Sequence, residues 1–341
     1  MNVLPDDTLA REYATLHAGA LLVWLPERSL GVFRGAKAAE VLNGLVSNEV
    51  AALAPGEGNY AVALTPRGKI LADVRVLRLA DAVMVDVPGP AATGWWGMVR
   101  KYVNPRLAQY EELSPTLTAL GVYGPSAADA LGQALGVQAI GLAPYAHASV
   151  ALGEATATVA SIPDAGVPGF VIYLPNAASA AAHATLQSAG AQPGSIATLE
   201  VARVEAGRPA WGIDMDDTTL TQEARLDDLG AVSYSKGCYT GQETVARLHF
   251  RGHVNRLLRG VSFERGSVAR GAALVGAEGN VVGEVRSVVR SPRLGDIGLA
   301  MVRREVEPGT TVMARTDASV DGIAARVLRL PFPSSAPPTA G

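Results

Sequence analysis

Cysteine is nearly absent: Cys238 is the one example in 341 residues. No internal disulfide can form, and one thiolate cannot by itself furnish a structural zinc or iron–sulfur site, so a reducing, cytoplasmic home is the simplest expectation. Metal ligation by other residues finds no support. His249 and His253 are four apart, but Arg251 and Gly252 interrupt a helix between them, and no Cys or carboxylate partner stands at metal spacing. Long hydrophobic runs are missing as well. The longest early one, Ala20 to Leu25, is far short of a membrane span, and Met1 to Asp7 carry no cationic leader segment. The net charge of −3 gives no global electrostatic case for nucleic acid. Lys236, Arg247, Arg251, Arg256 and Arg259 bias one region positive, which reads first as a solvated face. No Walker loop occurs, and no Gly-rich dinucleotide fingerprint follows a strand. Membranes and direct nucleic-acid contacts are therefore not expected.

What is present is apolar bulk. With 48% hydrophobic residues the chain can bury a large core divided among two or three domains. A helix over Thr8 to His17 precedes strands at Leu21 to Leu25 and Leu30 to Phe33, and Gly35 to Val46 reads as a helix leading to Ser47-Asn48-Glu49-Val50. Tyr60 to Leu64 and Lys69 to Leu79 form a hairpin across Thr65-Pro66-Arg67-Gly68, where Pro second and Gly fourth suit a type I turn. Val83, Val85 and Val87 alternate as in a half-buried strand, and a helix carrying Trp95 and Trp96 runs towards Tyr102.

A second lobe repeats the first. Gly121-Val122-Tyr123, followed by Gly124, Ala127, Ala128, Asp129 and Leu131, matches with one gap Gly31-Val32-Phe33, followed by Gly35, Ala38, Ala39, Glu40 and Leu42. Two unrelated strand–helix units sharing common residues would look the same. Strands near Ala155 to Ser161 and Gly169 to Leu174 and a helix from Ala177 to Ser188 complete that lobe. Ile196 to Gly207 is a further helix with Pro209 beyond its stop. From Arg256, short β runs at 257–261, 281–285, 297–300 and 311–314 are parted by Gly- and Pro-containing turns, as in a small barrel, and 331–341 reads as a disordered tail.

The densest signal is Lys236-Gly237-Cys238-Tyr239-Thr240-Gly241-Gln242-Glu243. Thr240 with Glu243 three positions later fits a capping box, so a helix is expected from there until Gly252. Cys238 would then lie two residues before the N-cap, where the helix dipole and cations such as Lys236, Arg247, Arg251 and Arg225 favour a thiolate. A plainer reading stands beside it: a small buried apolar cysteine, with Glu243 only capping a helix and pairing with Arg247.

The octet, with Arg203-Val204-Glu205-Ala206-Gly207-Arg208-Pro209 and Gln222-Glu223-Ala224 upstream, resembles the YgfZ family, whose signature reads K-G-C-Y-x-G-Q-E. That family lies within a larger group of folate-binding proteins related to the glycine-cleavage T-protein, an aminomethyltransferase, and the resemblance runs from about residue 20 to about residue 330. It implies an α+β fold, a T-protein-like three-domain ring of two α/β lobes and a small C-terminal β-barrel, with folate in the central channel. The corresponding units are a first lobe over 1–110, completed by about 195–253; a second lobe over 111–194; a signature segment over 195–253; a barrel over 254–330; and the tail at 331–341.

The resemblance implies tetrahydrofolate or a derivative as cofactor. It also implies an accessory role in the assembly or repair of iron–sulfur clusters, with client or assembly proteins as partners, some of the clients being tRNA-modifying enzymes. Cys238 and Lys236 would carry the chemistry, framed by Gly237, Tyr239, Gly241, Gln242 and Glu243. A reduced pterin presents donors and acceptors that one buried carboxylate can pair, and its rings need apolar or aromatic walls. Glu205 is the candidate carboxylate, and Asn48, Tyr60, Trp211 and Arg247 are candidate wall and polar contacts, each with core packing as its alternative.

One departure stands out. Aminomethyltransferases carry their catalytic Asp in a stretch after the strand corresponding to Val83 to Val87, whereas Pro88 to Gly94 contains no carboxylate here, so the general acid/base is expected to be missing and glycine-cleavage activity negligible. Three rivals stay open: a folate-dependent aminomethyl or one-carbon transferase, a cysteine hydrolase built on Cys238 and a nearby histidine, and a binding module in which the octet docks a partner and the folate channel is vestigial. Ser233 to Lys236 matches S-x-x-K, but without a K-T-G or S-D-N element the match is chance.

Overall fold

A computed structural model describes residues 6–136, 141–152, 154–264, 268–316 and 322–333. After α1 (Asp6–Ala18) and β1 (Leu21–Trp24), the chain builds an antiparallel sheet from β2 (Arg28–Arg34), β3 (Gly58–Leu64), β4 (Ile70–Arg78), β5 (Ala82–Pro88) and β6 (Gln109–Glu112), in the spatial order β3-β4-β5-β2-β6. The helices α2 (Ala38–Asn43) and α3 (Ala92–Tyr102) cover one face of it. Alternation decides the faces. Ala72, Val74 and Val76 on β4 and Val83, Val85 and Val87 on β5 pack with Trp95 and Val99 of α3. Residues one step out of phase, among them Leu77 and Met84, face the second lobe.

That second lobe is a six-stranded sheet in the order β11-β1-β7-β10-β9-β8. Its strands are β7 (Leu117–Tyr123), β8 (His147–Leu152), β9 (Ala155–Ser161), β10 (Gly169–Pro175) and β11 (Gln192–Pro193), with β1 borrowed from the N-terminal end, and its helices are α4 (Ala127–Leu135) and α5 (Asn176–Ser188). The repeated unit is visible in the backbone. β2 and β7 are each followed by a glycine at positive φ, Gly35 at 112° and Gly124 at 121°, before a short helix. A Cβ on Gly124 would strike the carbonyls of Gly19 and Leu16, so the turn admits no other residue at that φ. β5 and β10 likewise each end in a proline, Pro88 or Pro175, that turns into a helix.

After α6 (Ile196–Glu205) and α7 (Gln242–Arg251), six strands close into a barrel: β12 (Arg256–Phe263), β13 (Ala273–Val275), β14 (Val281–Ser291), β15 (Gly295–Arg303), β16 (Thr311–Arg315) and β17 (Ile323–Leu328). Four of the six were legible as β runs; β13 is only three residues long, and β17 carries two alanines and an arginine between its apolar ends. Residues 331–333 depart from the expected tail, since Phe332 is buried against Leu258, Leu299 and Val204, while 334–341 lie outside the described residues. No helix among the described residues is long and apolar enough to cross a membrane.

Candidate functional site

Where the two sheets face each other a cavity of about 330 Å³ opens, closed on its third side by α6 and the segment that follows it. The alternation of β4 places its charged residues here: with Ala72, Val74 and Val76 towards the helices, Asp73 and Arg75 project to the opposite face. Tyr60 from β3, Arg28 from β2 and Asp164 from the loop between β9 and β10 join them, with Glu200, Arg208 and Trp211 on the far wall.

Most of these charges neutralise one another. Asp86 accepts from Arg28 Nε (2.6 Å), Arg75 Nη1 (2.8 Å) and the Tyr173 hydroxyl (2.6 Å). Burial would raise its pKa, but Arg28 and Arg75 outweigh that and hold it below the ordinary carboxylate value. Arg208 pairs with Asp164 at 3.3 Å and lies over the Tyr60 ring at 6.0 Å, and that ring stacks on Tyr145 at a centroid distance of 6.0 Å. Asp73 is treated differently. Among the described residues its carboxylate has one hydrogen bond, from the Tyr60 hydroxyl to Oδ2 at 3.1 Å, and burial raises its pKa despite the attraction of Arg28 and Arg75. Its Oδ1 is buried with no partner among the described residues, and so is Trp211 Nε1. An orphan acceptor and an orphan donor on the walls of one cavity fit a ligand that offers both.

On α6, Ser195 caps the N-terminus through a bond from the Thr198 N–H (3.4 Å), and Glu200 faces the cavity, gripped by Arg203 through Nε–Oε1 (2.9 Å) and Nη2–Oε2 (2.6 Å). Glu205, expected as the ligand's carboxylate, does not line the cavity. Five residues further along a helix of 3.6 residues per turn, it is rotated by about 140° from Glu200. It points instead into a seam between α1 and the barrel, taking bonds from the Tyr13 hydroxyl (3.0 and 2.9 Å), Arg293 Nη2 (3.0 Å) and the Ser291 hydroxyl.

Of the other expected contacts, Tyr60 and Trp211 line the cavity, whereas Asn48 and Arg247 do not. Asn48 lies behind the wall, its Nδ2 donating to the carbonyls of Tyr60 and Gly230, both at 2.8 Å. Arg247 is exposed on α7. The stretch after β5 brings no carboxylate to the cavity, but the cavity has carboxylates of its own, and one of them, Asp73, comes from β4. Its signal in the sequence was the alternation of charged Asp73 and Arg75 with apolar Ala72, Val74 and Val76.

The octet forms an exposed loop beside the β3–β4 hairpin, and Cys238 is exposed in it. Its capping differs from the expected box. α7 begins at Gln242, not at Thr240, with Gly241 as N-cap at φ 81°, and a Cβ there would run into the Thr65 carbonyl. Gln242 Oε1 accepts the Tyr239 N–H (3.1 Å), the reach back over three residues that was expected of the Glu243 carboxylate. The cations do not gather at the thiol. Lys236 Nζ donates to the carbonyls of Asn43 (2.6 Å), Val46 (2.8 Å) and Asn48 (2.7 Å), and Arg225 is held by Asp228 (2.9 Å) and the Leu330 carbonyl (3.0 Å). Burial, partly offset by Glu49, pushes the Lys236 ammonium down to about 8.

Comparison with known proteins bears on this arrangement. The family model of the GCVT N-terminal domain matches residues 7–234, and that of the glycine cleavage T-protein C-terminal barrel domain matches 256–333. An aminomethyltransferase of Thermosynechococcus vestitus is 29% identical over 265 residues, covering 77% of this chain and 71% of that protein. One from Rubrobacter xylanophilus is 27% identical over 301 residues, covering 88% and 79%. The crystal structure of the glycine cleavage system aminomethyltransferase T from Bartonella henselae superposes with a TM-score of 0.85 at 25% identity, over 96% of this chain and 90% of that one.

Proposed function

The chain belongs to the glycine-cleavage T-protein family, and on that premise we propose that it binds a reduced folate in the cavity between its lobes and acts as a cytoplasmic YgfZ-type accessory protein for iron–sulfur enzymes, presenting Cys238 on its surface. The observation that carries the folate reading is that Asp73 Oδ1 and Trp211 Nε1, on the walls of a cavity of about 330 Å³, have no hydrogen-bond partner among the described residues, while Asp164 Oδ1 on the same walls has only its ion pair with Arg208. That volume is within the range of small-molecule sites. A reduced pterin would supply both a donor for Asp73 and an acceptor for Trp211, with Tyr60 and Trp211 as aromatic walls and Glu200 as a second carboxylate already fixed by Arg203. The bound folate would supply the one-carbon chemistry. The accessory reading draws on the octet and on an exposed thiol that is the chain's only one.

Calorimetric titration with tetrahydrofolate tests the cavity; absence of heat with the wild-type protein would remove it. Complementation tests the thiol: cells lacking the protein should show lowered activity of iron–sulfur enzymes, restored by the wild-type gene and not by Cys238→Ser at matched protein levels. Full rescue by Cys238→Ser would leave the thiol without a role.

A second reading has a specific observation behind it. A buried carboxyl whose pKa is raised, such as Asp73, can hold or move a proton at a ligand in the cavity, which is what an aminomethyl or one-carbon transferase needs. Folate-dependent release of ammonia from an aminomethyl-loaded carrier protein, lost in Asp73→Asn by about a hundredfold or more, would favour this reading over the accessory role.

A further inference from the structure

Both flanks of the Cys238 loop are tied to one short segment of the first lobe. The Ser233 N–H donates to the Ser47 carbonyl (2.9 Å) and the Thr240 N–H to the Gly44 carbonyl (3.1 Å). Between them Lys236 donates to the carbonyls of Asn43, Val46 and Asn48. An ammonium has three donors, so these three bonds use them all and none is left for the thiol. The Asn43 carbonyl ends α2, where unpaired carbonyls and the negative end of the helix favour a cation. Among the described residues, the backbone from 234 to 238 makes no backbone–backbone hydrogen bond, and Gly237 and Cys238 are exposed. At its ends the loop is also held by the stacking of Tyr234 on His249 (3.6 Å between ring centroids) and by the bond from the Tyr239 N–H to Gln242, so residues 43–48 restrain chiefly the stretch through Lys236 that leads to Cys238.

That same segment is fastened to the cavity wall. Ser47 exchanges two bonds with Val62 on β3, its N–H to the Val62 carbonyl at 2.9 Å and its hydroxyl accepting the Val62 N–H at 2.8 Å. Asn48 Nδ2 holds the Tyr60 carbonyl, and the hydroxyl of Tyr60 reaches Asp73. A continuous bonded run thus joins Asp73, through Tyr60, Asn48 and Lys236, to the loop bearing Cys238. By strand rise the cavity residue Tyr60 lies roughly 13 Å from Leu64, against which the loop's Gly241 packs, and no residue from 236 to 241 lines the cavity.

We propose that Lys236 is a positioning residue which, through Asn48 and Tyr60, couples the order of the Cys238 loop to occupation of the cavity by a reduced folate. The coupling rests on the folate reading of the cavity. A ligand paired with Asp73 Oδ1 restrains Asp73 and Tyr60, and a restrained β3 edge holds residues 43–48, and with them the loop, more tightly. Access of reagents to the thiol then falls when folate binds.

Because Cys238 is the only cysteine, alkylation by iodoacetamide reports this loop alone. Saturating tetrahydrofolate, added anaerobically, should slow alkylation of the wild-type protein threefold or more. In Lys236→Met and in Asn48→Ala the rate should be the same with and without tetrahydrofolate, although calorimetry still detects binding, and Lys236→Arg, which keeps cationic donors, should restore part of the effect. Circular dichroism checks the fold, and if Lys236→Met does not fold, Asn48→Ala decides. An unchanged wild-type rate despite measured binding would overturn the coupling, as would a slowing that persists in both variants, which is the sign of direct occlusion. No heat with the wild type would overturn the cavity reading and the coupling with it.

Discussion

Glu200 and Glu205 stand on the same helix, yet they belong to clusters of buried charge that are completed to different degrees. In the seam, Glu205 is met on both oxygens by Tyr13, Ser291 and Arg293, and its carbonyl takes the Phe332 N–H at 3.0 Å. In the cavity, Glu200 is satisfied by Arg203, but Asp73 and Trp211 each keep a buried polar atom without a partner among the described residues. An unmade buried hydrogen bond costs about 1–3 kcal/mol. The contrast separates charge that holds the fold from charge that is held ready for something else. The rule has limits: Asn59 Oδ1, Trp95 Nε1 and His147 Nδ1 are also buried without a partner among the described residues and do not line the cavity, and at His147 burial is answered by keeping the ring neutral.

The largest effect is expected in the seam. Glu205→Gln leaves Arg293 and Tyr13 without their carboxylate and should lower stability by about 3 kcal/mol, as for a broken buried ion pair. The urea midpoint measures this, and the folded fraction should bind tetrahydrofolate with unchanged affinity. A midpoint equal to wild type would erase the distinction between the clusters.

Asp73→Asn should do the reverse. Its folded pKa is raised, so the stability it contributes is fully present below the unfolded value and is lost as pH rises through the folded value; asparagine has no such loss. The variant should therefore match or exceed wild-type stability at pH 7 while its Kd for tetrahydrofolate rises about tenfold, the loss of one hydrogen bond to a charged group. Unchanged affinity would take Asp73 out of the site. Trp211→Phe keeps the wall and removes the orphan donor, so a weaker loss, about fivefold in Kd and worth about 1 kcal/mol, is expected from the same titration.

The smallest effect concerns pH at the junction of the lobes. Burial lowers the His147 pKa, although the nearby backbone of Tyr145 and Arg78 opposes this. Its stabilising contribution is present above the unfolded value near 6.5 and is lost as pH falls through the folded one. Thermal unfolding between pH 7 and pH 5 should thus show a steeper decline for wild type than for His147→Gln; parallel curves would show that the ring is not buried neutral.

Much of the fold was legible because its signals are local. The alternation of Val83, Val85 and Val87, the turn Thr65 to Gly68 and the matched strand–glycine–helix units each announce themselves within a dozen residues. The site was less legible because it is made by register. Glu205 and Glu200 look alike in sequence, and only the rotation of α6 against two sheets and a barrel sends one to the cavity and the other to the seam. Asp73 and Arg75 could have been read as one charged face of β4, but what that face meets depends on a sheet more than forty residues away. The capping box misled because Gly241, at positive φ, moves the helix start past Thr240.

The borrowed strand β1 has a consequence for the order in which the protein can be made. Its antiparallel partner β7 ends at Tyr123 and its parallel partner β11 is at Gln192–Pro193, whereas every strand of the first sheet lies between Arg28 and Glu112. On a ribosome adding 5–20 residues per second, β1 waits roughly 5–20 s for its first partner while the sheet that follows it in sequence is completed. The first lobe can therefore assemble around a leading segment that must stay unpaired, and the second lobe closes only by reaching back past a finished neighbour to collect it.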